Sequence, residues 1–168
     1  MKKRILIVED ESLTAQLIEM AVKQAGYEVA DICADGDGAL KSAYDHAPDL
    51  ILMDIHIEGE HDGIETARRI SQEHRIPIIF ATAYSDDTTL SRAAKVSPYG
   101  YLLKPITTVM LKSTINMAFS KFKSDERSRE HAEILEHSLN QIVILDADTL
   151  NILNANSAAR KDLGLSLD

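Results

Sequence analysis

Five short apolar runs recur along the first two thirds of the chain, and they constrain the fold more than any other feature. In order they are ILIV (5–8), EVADICA (28–34), LILM (50–53), IPIIFA (76–81) and YLL (101–103). Runs this short and this rich in Ile, Leu and Val are typical of strands buried on both faces of a parallel sheet. Parallel neighbours need long crossover connections, which are usually helices. The pattern therefore predicts an α/β fold with a doubly wound, five-stranded parallel sheet.

Between successive runs, apolar residues recur at the spacing of a helix. The first helical segment stops at Gly26, and the second ends before Pro48, as expected of helix termini. Positions that we expect on the inner faces are Leu13, Leu17, Met20 and Ala21 in the first helix, Leu40, Ala43, Tyr44 and Ala47 in the second, Ile64, Ala67 and Ile70 in the third, and Leu90, Ala93 and Ala94 in the fourth.

A last helix is predicted to begin near Thr107, with Met110, Leu111, Ile115, Ala118 and Phe122 as its apolar positions. No Pro or Gly interrupts residues 108–140, so we expect one long helix that leaves the globule. Its outer half carries a weak apolar seam of Ala132, Leu135 and Leu139, which favours a homodimer through this helix. The alternative is a break near Ser124 followed by a flexible acidic linker.

The pattern divides the chain into a globular domain (1–123), a helical linker (124–140) and a C-terminal segment (141–168). The C-terminal segment reads as a strand, a turn at 146–149, a second strand and the start of a helix. A stretch of this length buries too little surface to be stable as a domain. We therefore interpret it as the opening of a larger domain.

Composition narrows the possible partners. The net charge is −9, whereas nucleic-acid binding requires a basic face, so we expect no nucleic-acid partner. No apolar run approaches the length of a membrane span, and the N-terminal apolar stretch is too short for a secretory signal, so we expect no membrane contact. With Cys33 as its single cysteine the chain has no internal disulfide, which favours a reducing, cytoplasmic setting.

Polar side chains stand where four of the apolar runs end. The first run is followed by Glu9 and Asp10, the third by Asp54 and the fifth by Lys104, while Thr82 ends the fourth. Parallel strands that leave a sheet in one direction bring such residues to one edge, where ligands bind. The sequence therefore predicts one site with three acids, a hydroxyl and an ammonium group.

The chemistry open to this set is narrow. Clustered carboxylates favour a hard cation such as Mg²⁺. A carboxylate can also act as a nucleophile and accept a phosphoryl group, whose charge a metal, a Lys and a hydroxyl can stabilise. Asp54 fits the nucleophile, because its strand is expected in the middle of the sheet.

The acid pair after ILIV, Asp54 after LILM, Thr82 followed by Ala83, and Lys104–Pro105 in YGYLLKP together resemble the receiver domain of two-component response regulators. The resemblance covers about residues 3–122. It implies a flavodoxin-like (βα)₅ fold and phosphorylation by a sensor histidine kinase. It also implies a phosphorylation-controlled switch that relays its state to a C-terminal output module, and no enzymatic activity beyond phosphoryl transfer to itself and autodephosphorylation.

The resemblance also implies roles for individual residues. Asp54 would be the phosphoacceptor, and Lys104 and Thr82 would contact the phosphoryl group. Tyr101 would be a switch residue that turns inward when Thr82 moves. The implied Mg²⁺ ligands are Asp10, Asp54 and the backbone carbonyl of His56, with Glu9 acting partly through water.

Two segments extend or depart from this resemblance. The loop HIEGEHDG lacks the Pro that the family usually has after the phosphorylated Asp and is one residue longer. The segment from about Glu133 resembles the start of a PAS domain, with an Asn-x-x-Ala pattern opening its last helix. Only part of such a domain is present, so we expect no bound cofactor there. A hybrid kinase or a cyclic-dinucleotide enzyme would be a suitable parent protein.

Two other functions fit part of the same set of residues. A phosphatase of the haloacid-dehalogenase type would use Asp54 as its nucleophile, but it needs an Asp two residues later, where this chain has His56. A receiver-shaped module that is never phosphorylated usually lacks an acid or the Lys, and none is missing here.

Overall fold

The computed structural model describes residues 2–83 and 87–164. The chain forms two compact units, the first extending to Phe122 and the second beginning at Lys123. Each unit is described by itself.

The first unit contains a five-stranded sheet in which all neighbours are parallel. The strands are β1 (Arg4–Val8), β2 (Glu28–Cys33), β3 (Leu50–Asp54), β4 (Ile78–Thr82) and β5 (Gly100–Leu103), in the order β2-β1-β3-β4-β5. The predicted doubly wound α/β fold is confirmed. The strand order reverses between β1 and β3, which makes the carboxyl ends of these two strands the expected ligand position.

Helices cover both faces of the sheet. They are α1 (Ser12–Gln24), α2 (Gly36–His46), α3 (Gly63–Glu73), α4 (Asp87–Ala94) and α5 (Thr108–Glu136). Successive residues of a strand point to opposite faces. Leu6 and Val8 therefore join a core layer with α2, α3 and α4, while Ile5 and Ile7 join a second layer with α1 and α5.

The inner face of α1 differs from the prediction. Leu13, Leu17 and Met20 are exposed, whereas the buried residues are Ala15, Ile18, Ala21 and Val22. Both sets recur at helical spacing, so α1 carries two apolar stripes and only one can face the sheet. Of the predicted inner positions, Ala21 alone was right.

Five further burial predictions were also wrong. Tyr44 and Ala47 of the second helical segment are exposed, as are Leu90 and Ala94 of α4, so Ala93 is the one fully buried residue among the side chains described for α4. Met110 is exposed at the start of α5. Burial on both faces holds for the central strands β1, β3 and β4, but β2 and β5 form the sheet edges and remain partly exposed.

The second unit contains the outer part of α5, an antiparallel hairpin of β6 (Val143–Leu145) and β7 (Ile152–Ala155), and α6 (Ser157–Leu163). The predicted long helix and hairpin are confirmed. The helix is continuous through Ser124, and it ends at Glu136, so Leu139 of the predicted seam lies outside it. Among the described helices none is long and apolar enough to cross a membrane.

Candidate functional site

Three carboxylates meet at the point where the strand order reverses. Glu9 and Asp10 follow β1, and Asp54 is the last residue of β3. One oxygen from each carboxylate lies within 4.8 Å of the others. Glu9 and Asp54 are almost fully buried, while Asp10 is partly exposed. The ends of two adjacent parallel strands thus place three acids around one small volume.

Lys104 links two of these acids. It directly follows β5, and its backbone N–H donates to the carbonyl of Thr82 at 2.8 Å. Its Nζ lies 2.5 Å from Asp54 Oδ2 and 2.6 Å from Glu9 Oε2. Two buried carboxylates therefore share one ammonium group.

Burial and neighbouring charges shift the pKa values of Glu9 and Lys104. The pKa of Glu9 is raised above its ordinary value, because burial disfavours the carboxylate and neighbouring Asp54 repels it, and Lys104 offsets only part of this. Burial alone would lower the pKa of Lys104, but its bonds to Asp54 and Glu9 outweigh burial and raise it. Lys104 is therefore fully charged at neutral pH.

The carboxylate of Asp54 is held on both sides. Lys104 contacts Oδ2, and the backbone N–H of His56 donates to Oδ1 at 3.0 Å. The start of α3 packs directly behind it, because the Gly63 N–H donates to the Ile55 carbonyl at 3.0 Å. A Cβ on Gly63 would lie 1.8 Å from the Asp54 carbonyl oxygen, so only glycine allows this approach.

Thr82 and Tyr101 lie on the strands that flank this edge. Thr82 ends β4 and is buried. Tyr101 on β5 is 40% exposed, with its ring 6.1 Å from that of Phe80. Partial burial of the side chain raises the pKa of the Tyr101 hydroxyl. Tyr101 is therefore neither fully packed nor fully solvated in this conformation.

The donor set suits a hard divalent cation. Three carboxylates within 4.8 Å of one another supply the oxygen ligands that Mg²⁺ takes, and the partly exposed Asp10 leaves one side open to water. Lys104 compensates at most one of the three negative charges, so a divalent ion would complete the charge balance. The residues present therefore fit the ion that the resemblance implies.

Two features of this edge were missed by the sequence analysis. One is the contact of Gly63 with the backbone of Asp54, for which the signal is a glycine at the first position of a helix, directly after the capping residue Asp62. The other is the contact of Lys104 with Glu9 as well as Asp54. Nothing in the spacing of the residues indicates that second contact.

Comparison with known proteins identifies the family. The family model described as the response regulator receiver domain matches residues 5–116. The chain belongs to the response regulator receiver family. The resemblance to receivers is thereby confirmed, whereas the resemblance of the C-terminal segment to a PAS domain stays a prediction. Receiver domains are signalling domains that histidine kinases phosphorylate.

Relatives of known sequence or structure agree with this assignment. The transcriptional regulatory protein PdtaR of Mycobacterium tuberculosis is 34% identical over 121 residues, which cover 72% of this chain and 58% of PdtaR. The chain thus matches less than two thirds of that relative's length.

Two solved receiver structures are similar over most of their own length. The signal receiver domain of a modulated diguanylate cyclase from Desulfovibrio desulfuricans G20 is 38% identical, with a TM-score of 0.71 over 74% of this chain and 99% of the other. The N-terminal domain of a response regulator/sensory box/GGDEF three-domain protein from Carboxydothermus hydrogenoformans is 35% identical, with a TM-score of 0.67 over 73% and 98%.

Proposed function

We propose that Asp54 accepts a phosphoryl group from a sensor histidine kinase and that this receiver domain is thereby switched. The observation that carries the proposal is the position of the Asp54 carboxylate, which Lys104 and the His56 N–H hold beside Glu9 and Asp10. The incoming phosphoryl group would meet a fixed nucleophile with a cation already beside it.

In the proposed reaction one Asp54 carboxylate oxygen attacks phosphorus while the P–N bond to the donor imidazole breaks. The new O–P bond gives an acyl phosphate, and the imidazole keeps the electron pair of the broken bond and takes up a proton. Asp54 loses its own charge, and the phosphoryl group brings about −1.5 to −2. Lys104 then moves its contact from Asp54 Oδ2 to a phosphoryl oxygen, and the Thr82 hydroxyl donates to another.

Glu9, Asp10 and Asp54, with the carbonyl of His56, would hold Mg²⁺ at this edge. The bound ion would neutralise charge on the transferring phosphoryl oxygens. Of the three acids, Asp10 is the most exposed and so the most accessible to an entering hydrated ion.

We propose that the switch runs from Thr82 to Tyr101. Thr82 ends β4 and Tyr101 lies on β5, and these two strands are paired. In their register Thr82 lies opposite Leu103, and Phe80 lies opposite Tyr101. Movement of the Thr82 side chain toward the phosphoryl group would open space beside β4, and the half-exposed Tyr101 ring would turn into it.

The exposed apolar stripe of α1 supports a helical protein as the phosphodonor. Leu17 and Met20 line a groove of about 580 Å³ whose other wall includes Lys104 and Pro105. An apolar surface beside the reacting carboxylate would let a donor helix pack against α1 while presenting its phosphohistidine to Asp54. This is the arrangement we propose for the kinase partner.

The output module is proposed from the C-terminal segment and from two relatives. The receiver from Desulfovibrio desulfuricans belongs to a modulated diguanylate cyclase, and the one from Carboxydothermus hydrogenoformans belongs to a protein with a sensory box and a GGDEF domain. Residues 141–168 resemble the start of a PAS domain, which is a sensory domain. We propose a parent protein of this kind, in which α5 joins the receiver to that domain.

Incubation with acetyl phosphate and Mg²⁺ followed by intact mass spectrometry tests the proposal. We expect the mass of one phosphoryl group to be added to the wild-type chain and none to be added to Asp54→Asn or in excess chelator. Asp62→Asn, which keeps the cap of α3, is the matched control and should be phosphorylated normally. No mass gain in the wild-type chain would favour an inert module, and turnover of a phosphomonoester that is lost in Asp54→Asn would favour a phosphatase.

A further inference from the structure

The last carbonyls of α5 accept hydrogen bonds from side chains about twenty residues further along the chain. The last carbonyls of a helix have no partner within the helix and are commonly satisfied by a following glycine turn. Here the sequence after Glu136 is HSLN, without glycine. The Leu135 carbonyl instead accepts from Asn156 Nδ2 at 3.0 Å, and the Glu136 carbonyl accepts from Ser157 Oγ at 2.7 Å.

Asn156 is the centre of this arrangement. It lies between β7 and α6 and is 5% exposed. Its Nδ2 also lies 3.3 Å from the Ser138 carbonyl oxygen and 2.8 Å from that of Asn140, so its two hydrogens are shared among three carbonyls. Its Oδ1 accepts from the backbone N–H groups of Ile142 (2.9 Å) and Ala159 (3.1 Å). One side chain thus bonds the end of α5, the connection after it, the start of β6 and the first turn of α6.

A second contact fixes the same elements. The Arg160 guanidinium donates to the Ala155 carbonyl and forms an ion pair with Glu136. Arg160 therefore links the end of β7, the first turn of α6 and the last residue of α5. With Asn156 and Ser157 it makes three residues at the start of α6 that contact the end of α5.

We propose that Asn156 is the central residue of a rigid joint, through which the last turn of α5, the β6–β7 hairpin and α6 move and open as one cooperative unit. The alternative is that Asn156 is only the N-cap of α6, a role for which its bond to the Ala159 N–H would be enough. The bonds from Nδ2 distinguish the two, because an N-cap needs an acceptor and makes no use of a donor. If the proposed switch operates, a displacement of this part of α5 would carry the hairpin with it.

Residue-resolved amide exchange measured by NMR on the full chain, without Mg²⁺ or phosphodonor, tests the joint independently of the proposed function. Three amides report on the three elements: His137, which donates to Glu133 at the end of α5, Ile142, which directly precedes β6, and Ala159 in α6. In the wild-type chain we expect the three to share one opening free energy.

Asn156→Asp keeps an oxygen acceptor for the cap but removes the donors and places a charge beside three carbonyls. We expect exchange at all three amides to accelerate at least tenfold and by the same factor. Asn151→Ala, an exposed Asn in the same hairpin, is the matched control and should leave all three rates unchanged. Acceleration at Ala159 with His137 unchanged would overturn the joint and leave an N-cap.

Ser157→Ala decides the question if Asn156→Asp unfolds the second unit. Ser157 is exposed, and the substitution removes its bond to the Glu136 carbonyl. A joint predicts a smaller acceleration, about three- to fivefold, that is equal at all three amides. Acceleration confined to His137 would show that the end of α5 opens by itself and would overturn the proposal.

Discussion

Glu9 is buried beside a second carboxylate, and this arrangement has an energetic cost. The residue is 3% exposed, and the Lys104 ammonium group at 2.6 Å is shared with Asp54. Burial of a charge that is only partly compensated destabilises a fold. A divalent ion bound by Glu9, Asp10 and Asp54 would relieve this cost. The raised pKa of Glu9 is the signature of that cost.

Glu9→Gln should therefore stabilise the chain to urea in the presence of chelator. Because the folded-state pKa of Glu9 is raised above 4.5, ionised Glu9 destabilises the fold once the pH exceeds that value. We expect the variant to be more stable by about 1 kcal/mol at pH 8, and the difference to disappear as the pH falls below the unfolded-state pKa. Urea titrations between pH 4 and pH 8 provide the measurement.

The exposed Glu11→Gln serves as the control and should show little change. Mg²⁺ should stabilise the wild-type chain more than Glu9→Gln, since the variant lacks one of the three acids. A variant that is less stable than the wild type at pH 8 would show that the contact with Lys104 outweighs the cost of burial.

At the scale of helices and strands, the start of α3 packs closely against the end of β3. Gly63→Ala would place a Cβ 1.8 Å from the Asp54 carbonyl oxygen, so α3 must move away from the strand that carries the proposed phosphoacceptor. We expect a loss of about 3 kcal/mol in the free energy of unfolding and slower phosphorylation by acetyl phosphate. Gly38→Ala is the matched control, because its closest contact is a side-chain oxygen at 3.2 Å. Equal stability of the two variants would contradict this account.

The coupling between β4 and β5 can be read from Tyr101. The chain has no Trp, so Tyr101→Trp provides a single tryptophan, excited selectively over Tyr, at the proposed switch. Beryllium fluoride with Mg²⁺, a phosphoryl mimic, should reduce its quenching by acrylamide about twofold as the ring turns inward. The same change should be absent when Thr82→Ala is added. Unchanged quenching at saturating mimic would contradict the proposed switch.

The sequence predicted which strands and helices the chain forms, but it predicted less well which face of each helix is buried. The buried residues of β1, β3 and β4 are apolar except for Asp54 and Thr82 at the strand ends, so these runs stand out and place Glu9 and Asp54 where strands end. On α1, Leu17 and Ile18 are adjacent in sequence but lie on different faces, and only packing decides which is buried. The Asn-x-x-Ala pattern predicted the start of α6, but the Nδ2 contacts of Asn156 escaped prediction, because they are tertiary contacts with residues 16 to 21 positions earlier in the chain.

At the scale of the whole molecule, we expect two copies of the chain to associate through the outer part of α5. Ala132 and Leu135 are exposed there, which agrees with a seam that a second copy would cover. We expect multi-angle light scattering at high protein concentration to show dimers, favoured by the phosphoryl mimic. Ala132→Glu should weaken dimerisation at least tenfold, whereas His131→Glu, one position off the seam, should not. Monomers alone under both conditions would contradict the dimer.

The proposed function depends on one covalent bond, between phosphorus and an oxygen of Asp54. Borohydride reduces an acyl phosphate to the alcohol, so treatment of the chain after acetyl phosphate and Mg²⁺ marks the acceptor by converting aspartate to homoserine. Peptide mapping by mass spectrometry should find homoserine at position 54 and at no other aspartate. Homoserine at a different position, or unmodified Asp54 after the chain has gained a phosphoryl group, would contradict the account.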